Sequence, residues 1–503
     1  MYLLSWMRIK PILWAGLALA ALPSFVAGQS NPAAQNAPVA QSALPPQIES
    51  TPLESQGPGA VGLLPSTKTG LPGSLWLGSD PETLSNLIRA VDQPVPALRN
   101  LMRTLMVAEA DPPAGGAASV AHLGHRLDWL LDHGSVDEAL AMLDIVGVDD
   151  PQLFSRWADL NLLVGRPDPV CRTLLARPRL SSDFGLRIYC TARGGDWNRA
   201  ALILRSAETL GELDSRKSDL LARFLDPELH EDSPPLLPPV RPTPLEFRLF
   251  EALGEPLPTA PLPLQFSVLD LNGDNGWRAQ IEAAERLARI GSLPANQLLG
   301  LYTQRQAAAS GGVWDRVSAL QRFEQELTRG RPDAVSSALI EVWPQMRSAR
   351  LLDPFADLFA TRLSQVDLSG RAQGILRRAV FLSPQFEELA ATLPQDNAET
   401  RFFTSIARGG PPSETDLPDL DHVTPVALGF GTADIPETLK EQLRQGRLGE
   451  VILRAMSLFA SGAQGNGQDM TDALATFRGV GLEETARRAA LQLIILDAER
   501  ARR

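Results

Sequence analysis

At 503 residues, 44% hydrophobic and 21% charged, the chain is long enough for two or three ordinary domains or one extended repeat array, and apolar enough for most of it to fold. Its net charge of −12 makes nucleic acid and anionic lipid surfaces poor partners, because both are recognised through clustered cations. Four of the 47 basic residues are Lys, an arginine bias better explained by base composition of the coding sequence than by phosphate recognition.

The chain begins with MYLLSWMRIK, which carries the positive charge, and continues with PILWAGLALAALPSFVAG, an apolar run ending in small residues. This order predicts a secretory signal peptide over 1–28, cut after Gly28, and hence an exported, periplasmic protein. The alternative is an uncleaved signal that anchors the protein to the inner membrane, facing the periplasm. No later segment reads as a span, so no integral membrane segment is expected after cleavage. Residues 29–78 are rich in Pro, Ala, Gln, Gly and Ser without apolar periodicity, which predicts a disordered tether.

From residue 79 onward the pattern is helical. VDEALAMLDIVG, RAALILRSAETLG, WRAQIEAAERLARIG, WDRVSALQRFEQELTRG, AQGILRRAVFL and EETARRAALQLIIL repeat apolar residues at three- and four-residue spacing. The prediction is an all-α fold in two helical-repeat segments, 79–228 and 267–503. Between them lies a Pro-rich linker, 229–266, with one short helix in PLEFRLFEALG. Ten prolines between Pro234 and Pro263 exclude a continuous helix there. The same stretch could instead run along the surface of one array, since its Leu and Phe side chains want cover.

Glycines precede successive helix starts: Gly134, Gly165, Gly195, Gly276 and Gly312. After most of them comes an acidic or small polar residue suited to capping, then a small residue that opens an apolar stripe. The spacings fall in the range of helix-pair solenoids. GSVDEAL and GDWNRAAL resemble the turn between the paired helices of the tetratricopeptide-repeat family, over about residues 117–225 and 274–500. The resemblance implies an α-solenoid, with Ala139, Ala200 and Ala279 at the position where paired helices approach closely. Trp197, Trp277 and Trp314 occupy equivalent places after the turn. The family's large aromatic in the first helix and its terminal proline are mostly missing. The chain is also similar to bacterial exported helical-repeat proteins, a likeness that implies no activity.

Other constellations are weaker. LDLNGDNGWRAQI places Asp270, Asn272 and Asp274 like the start of a calcium loop, but Asn275 replaces the required Gly and Ile281 the bidentate acid. His122, His125 and Asp128 share a helix face and could hold a metal, although Leu127, Leu130 and Leu131 make the bland reading of a solvated face stronger. Paired acids such as Glu282 with Glu285, and Glu387 with Glu388, read as solvated faces. Cys171 and Cys190 are candidates for a disulfide in an oxidising compartment, or are two small buried residues. No catalytic residue, metal or cofactor is assigned. The expectation is a non-enzymatic scaffold or adaptor that holds a protein or peptide partner in a secretion, motility or cell-wall assembly, its oligomeric state open. The alternatives are a cell-wall or carbohydrate hydrolase with an unrecognised carboxylate site, or a divalent-ion-regulated binding module.

Overall fold

Proline or aspartate stands at the start of about half of the helices in the computed structural model, which describes residues 57–503 apart from 232, 272–274, 414, 502 and 503. The predicted signal peptide and the tether up to residue 56 lie outside the described residues. Among the described residues the structure is all helical, with no strand. It begins with α1 (Ser66–Thr69), α2 (Pro81–Ala90) and α3 (Pro96–Val107). Next come α4 (Ala117–Asp132), α5 (Val136–Val146), α6 (Pro151–Leu163), α7 (Pro167–Ala176), α8 (Phe184–Arg193), α9 (Trp197–Leu210), α10 (Ser215–Leu225) and α11 (Pro244–Ala252). The carboxylates of Asp150, Asp183 and Asp196 accept from first-turn amides of α6, α8 and α9, satisfying donors that have no helical partner.

The helices of α4–α5, α6–α7 and α8–α9 pack as hairpins, and each hairpin also touches the next. Gly134 has φ +70, a conformation that favours glycine, and a Cβ there would stand 2.5 Å from Leu287 Cδ2, so that leucine would have to move. Gly165 and Gly195 also adopt positive φ. Ala139 on α5 and Ala200 on α9 are fully buried. Cys171 on α7 and Cys190 on α8 are joined by a disulfide. At a sequence separation of 19, reduction or Cys171→Ser/Cys190→Ser is expected to lower stability by about 3 kcal/mol. Thermal unfolding with and without dithiothreitol checks this; an unchanged melting temperature would contradict it.

The second half continues with α12 (Ser267–Leu271), α13 (Trp277–Ala288), α14 (Ala295–Thr303), α15 (Val313–Arg329), α16 (Pro332–Ser348), α17 (Leu352–Leu363), α18 (Gly370–Leu382), α19 (Phe386–Ala390) and α20 (Ala398–Ala407). It ends with α21 (Val423–Phe430), α22 (Glu437–Arg444), α23 (Leu448–Ala463), α24 (Gly467–Gly479) and α25 (Glu483–Ala501).

The Pro-rich stretch does not divide two bodies, since the described residues fall in one unit. Its helix α11 starts with a capping box, Thr243 with Glu246, and buries Leu245, Phe247, Leu249 and Phe250. Arg248 donates to the Leu162 and Leu163 carbonyls at the end of α6, at 2.6 and 2.7 Å.

Residues 57–78, expected in the tether, are instead folded onto the helices and anchor in the core through a few side chains. Leu75 and Trp76 are fully buried, and Leu71 nearly so. The buried guanidinium of Arg126 donates to the carbonyls of Met106, Gly59 and Ala108 at 2.8–3.0 Å, pinning this segment beside the end of α3. The segment reaches the far end of the chain. The Gly449 amide donates to the Leu75 carbonyl (2.9 Å), and the Ala97 amide to Gln492 Oε1 (2.7 Å). Both amides belong to first helical turns, of α23 and α3, where no helical acceptor exists. With α2 on α23 and α3 on α25, the succession of helices closes on itself.

Candidate functional site

The turn residues singled out in the sequence separate into two groups. Gly134, Gly165 and Gly195 adopt positive φ at the hairpin turns, Ala139 and Ala200 are fully buried, and Gly312 has φ +58 before α15. Gly276 does not follow the pattern. It caps α13 with φ −58, and a Cβ there would meet open space. Ala279 is half-buried and borders a hollow. The tryptophans are likewise unequal. Trp277 is buried, donates to the Leu301 carbonyl (2.9 Å) and meets Trp314 at 5.1 Å between ring centres. Trp197 is 47% exposed, with one neighbour ring, Phe224.

The calcium-like stretch carries no ligand set among the described residues. Thr259 donates to Asp270, as does Asn275 at 3.2 Å; Asn272 and Asp274 lie outside the described residues. Asp270 and Glu282 border a hollow of about 620 Å³ beside α11 and α13, but Glu282 is paired with Arg278 at 2.8 Å. Glu285 is not a solvated acid. It is buried, bonded to Arg316 at 2.7 Å and to the Tyr302 hydroxyl at 2.6 Å. Burial drives the Tyr302 hydroxyl well above its ordinary range, with the Glu285 charge adding to the effect.

The histidine face also comes apart in three dimensions. His122 is buried against Trp76, their ring centres 5.2 Å apart, and burial pulls its pKa down to about 3. His125 Nε2 lies 3.2 Å from Ser85 Oγ. Asp128 is held by Arg156 through two bonds of 2.7 and 2.8 Å, and His133 stacks on Trp129 at 3.9 Å. Among the described residues no three His, Cys, Asp or Glu side chains converge as a metal set would.

Charge gathers elsewhere. Where α3 meets α25, a cavity of about 410 Å³ is bounded also by α13 and by the turn from α16 to α17. Six arginines line it: Arg99, Arg286, Arg289, Arg347, Arg350 and Arg500. Two acids face them, Asp353 and Glu499, so the wall is cationic in a chain of net charge −12. Part of this charge is compensated. Glu499 takes the Trp343 indole at 3.0 Å, Arg378 at 3.3 Å and Arg347 at 3.4 Å, while Arg500 pairs with Asp497 at 2.7 Å. Arg289 reaches Glu285 at 3.1 Å, a carboxylate already shared with Arg316.

Three guanidiniums have no carboxylate within ion-pair distance among the described residues. Arg286 donates to the Thr259 and Leu262 carbonyls (3.2 and 2.7 Å), Arg99 to the Gln93 carbonyl (3.1 Å), and Arg350 is exposed at the rim. Burial lowers the pKa of both Arg99 and Arg286, with the Arg500 and Arg289 charges adding to it. Burial also raises the Asp353 carboxyl, against the pull of Arg488 and Arg99. Such a wall favours an anion chemically, and guanidiniums bind carboxylate or phosphate through paired N–H donors. Searches against family models, curated proteins and solved structures each found no match.

Proposed function

We propose that this chain is a non-enzymatic scaffold or adaptor, exported to the periplasm, whose helical hairpins form a tetratricopeptide-like array that holds a protein or peptide partner in an envelope assembly. The observation that carries the reading is the run of hairpins α4–α5, α6–α7 and α8–α9, each joined at a positive-φ glycine and packed on the next. Arrays of such units provide extended surface for a partner chain. Exposed apolar side chains on this array, Leu175 on α7 and Trp197, Leu202 and Leu210 on α9, supply contact area of the kind interfaces use.

The test is crosslinking of the tagged protein in its native envelope, with captured proteins identified by mass spectrometry. Recurrent enrichment of one secretion, motility or cell-wall complex is expected. Leu202→Asp/Leu210→Asp, at positions 65% and 67% exposed, should keep the fold and reduce that capture several-fold. No recurrent partner under gentle extraction would overturn the scaffold reading.

A further inference from the structure

The arginine-lined cavity goes beyond the scaffold reading and does not depend on it. We propose that it is a binding site for a small organic polyanion, a molecule carrying at least two carboxylate or phosphate groups. Three observations meet there. The first is charge: Arg99, Arg286 and Arg350 come from three separate elements and converge on one hollow without carboxylate partners among the described residues. The second is an unsatisfied donor. Arg99 Nε is buried and has no hydrogen-bond partner among the described residues, so one guanidinium of the cavity wall is incompletely compensated by the protein.

The third is backbone strain at Arg350. Its φ is +58, in the left-handed region. Among the described residues, eighteen glycines take positive φ, and Arg350 and His422 are the two exceptions. Arg350 follows the end of α16, its amide bonded to the Arg347 carbonyl, at a position where glycine is the unstrained choice. An arginine kept there against its backbone preference, with its side chain on the rim of a cationic cavity, points to a functional demand on the side chain.

The size and walls fix the ligand class further. About 410 Å³ suits a small molecule. Pro94, Pro96, Ile290, Leu352 and Leu496 contribute apolar wall between the guanidiniums, which favours an organic anion over a free inorganic ion. The site also lies where α3 meets α25, and a ligand bridging Arg99 of α3 and Arg350 after α16 ties the first helices to the turn between α16 and α17.

The experiment uses the full chain purified from its export compartment. Citrate serves as the carboxylate probe and pyrophosphate as the phosphate probe, each compared with sodium chloride at matched ionic strength. Thermal unfolding and titration calorimetry are read for wild type, Arg350→Gly and Arg99→Gln/Arg350→Gly. At least one probe should raise the melting temperature beyond the chloride control, and the double variant should weaken that binding tenfold or more. A preference for citrate assigns carboxylates, and a preference for pyrophosphate assigns phosphates. Arg350→Gly alone should raise the ligand-free melting temperature while lowering affinity, a pairing that a purely structural arginine would not give. Failure of both probes to exceed chloride, or unchanged binding in the double variant, would overturn the proposal. Neither result bears on capture of a protein partner, which the Leu202→Asp/Leu210→Asp variant reads separately.

Discussion

Trp76→Ala should destabilise the protein by about 4 kcal/mol, the range for deleting a large buried aromatic. The ring is fully buried and lies against the start of α23, where a Cβ on Gly449 would meet Trp76 Cε3 at 2.5 Å and the Leu75 carbonyl at 2.8 Å. Gly449→Leu should therefore cause loss of the same order from the opposite side of the contact, through overpacking. Both substitutions strike where the chain closes, so they should loosen residues 57–78 together with the first turn of α23. Denaturant unfolding measures the loss. A change under about 1 kcal/mol in both variants would mean that Trp76 is not the wedge described.

Acid should destabilise the protein through His122, with a slope of up to about 1.4 kcal/mol per pH unit below its unfolded pKa. The sign follows from the direction of the shift. Folded His122 is held neutral, its pKa pulled from 6.5 to about 3 by burial and by the charges of Arg126 and His125 on the same helix. The unfolded chain takes up a proton near pH 6.5 and the native state does not. The contribution is fully present above pH 6.5 and is lost as pH falls toward 3. Between pH 7 and pH 5 the loss is about 2 kcal/mol. Other groups titrate in this range, including Asp159, whose carboxyl burial raises to about 6, so the difference between wild type and His122→Gln isolates the histidine. The variant should show a shallower fall of stability between pH 6 and pH 4. Parallel pH profiles would contradict the assignment. His122 and Trp76 touch, so their substitutions should not be additive.

The helices were legible because the core is built from amphipathic stripes, and the punctuation by Asp, Pro and Gly marks most of their ends. The positive φ of Gly134 and Gly195 was legible for the same reason, since it is a local demand on the backbone. Residues 57–78 were not. Their segment GPGAVGLLPSTKTGLPGSLWLG has no helical period, and Trp76 finds its cover on Gly449, far along the chain, where no local signal points. Gly276 shared the words of the turn without its positive φ. Glu285 looked solvated because its partners, Arg316 and Tyr302, come from later helices.

The cavity was hidden twice over. Its arginines are spread across four parts of the chain, and a general arginine bias masked each of them. One signal was present. After the helix ending at Ser348, the sequence reads Ala349–Arg350–Leu351, with arginine where the neighbouring turns place glycine.

Hydrogen exchange at two backbone amides, Gly449 and Ala97, tests most directly that the chain closes on itself. Both lie in first helical turns, where an amide without a helical acceptor exchanges readily unless something else takes its proton. The Leu75 carbonyl and Gln492 Oε1 are those acceptors. Residue-resolved exchange should show both amides protected like the helix interiors, and Trp76→Ala should release Gly449 first. If both exchange at the rate of exposed first-turn amides in the wild-type protein, the first and last helices are not joined, and the arginine-lined cavity between them does not exist as described.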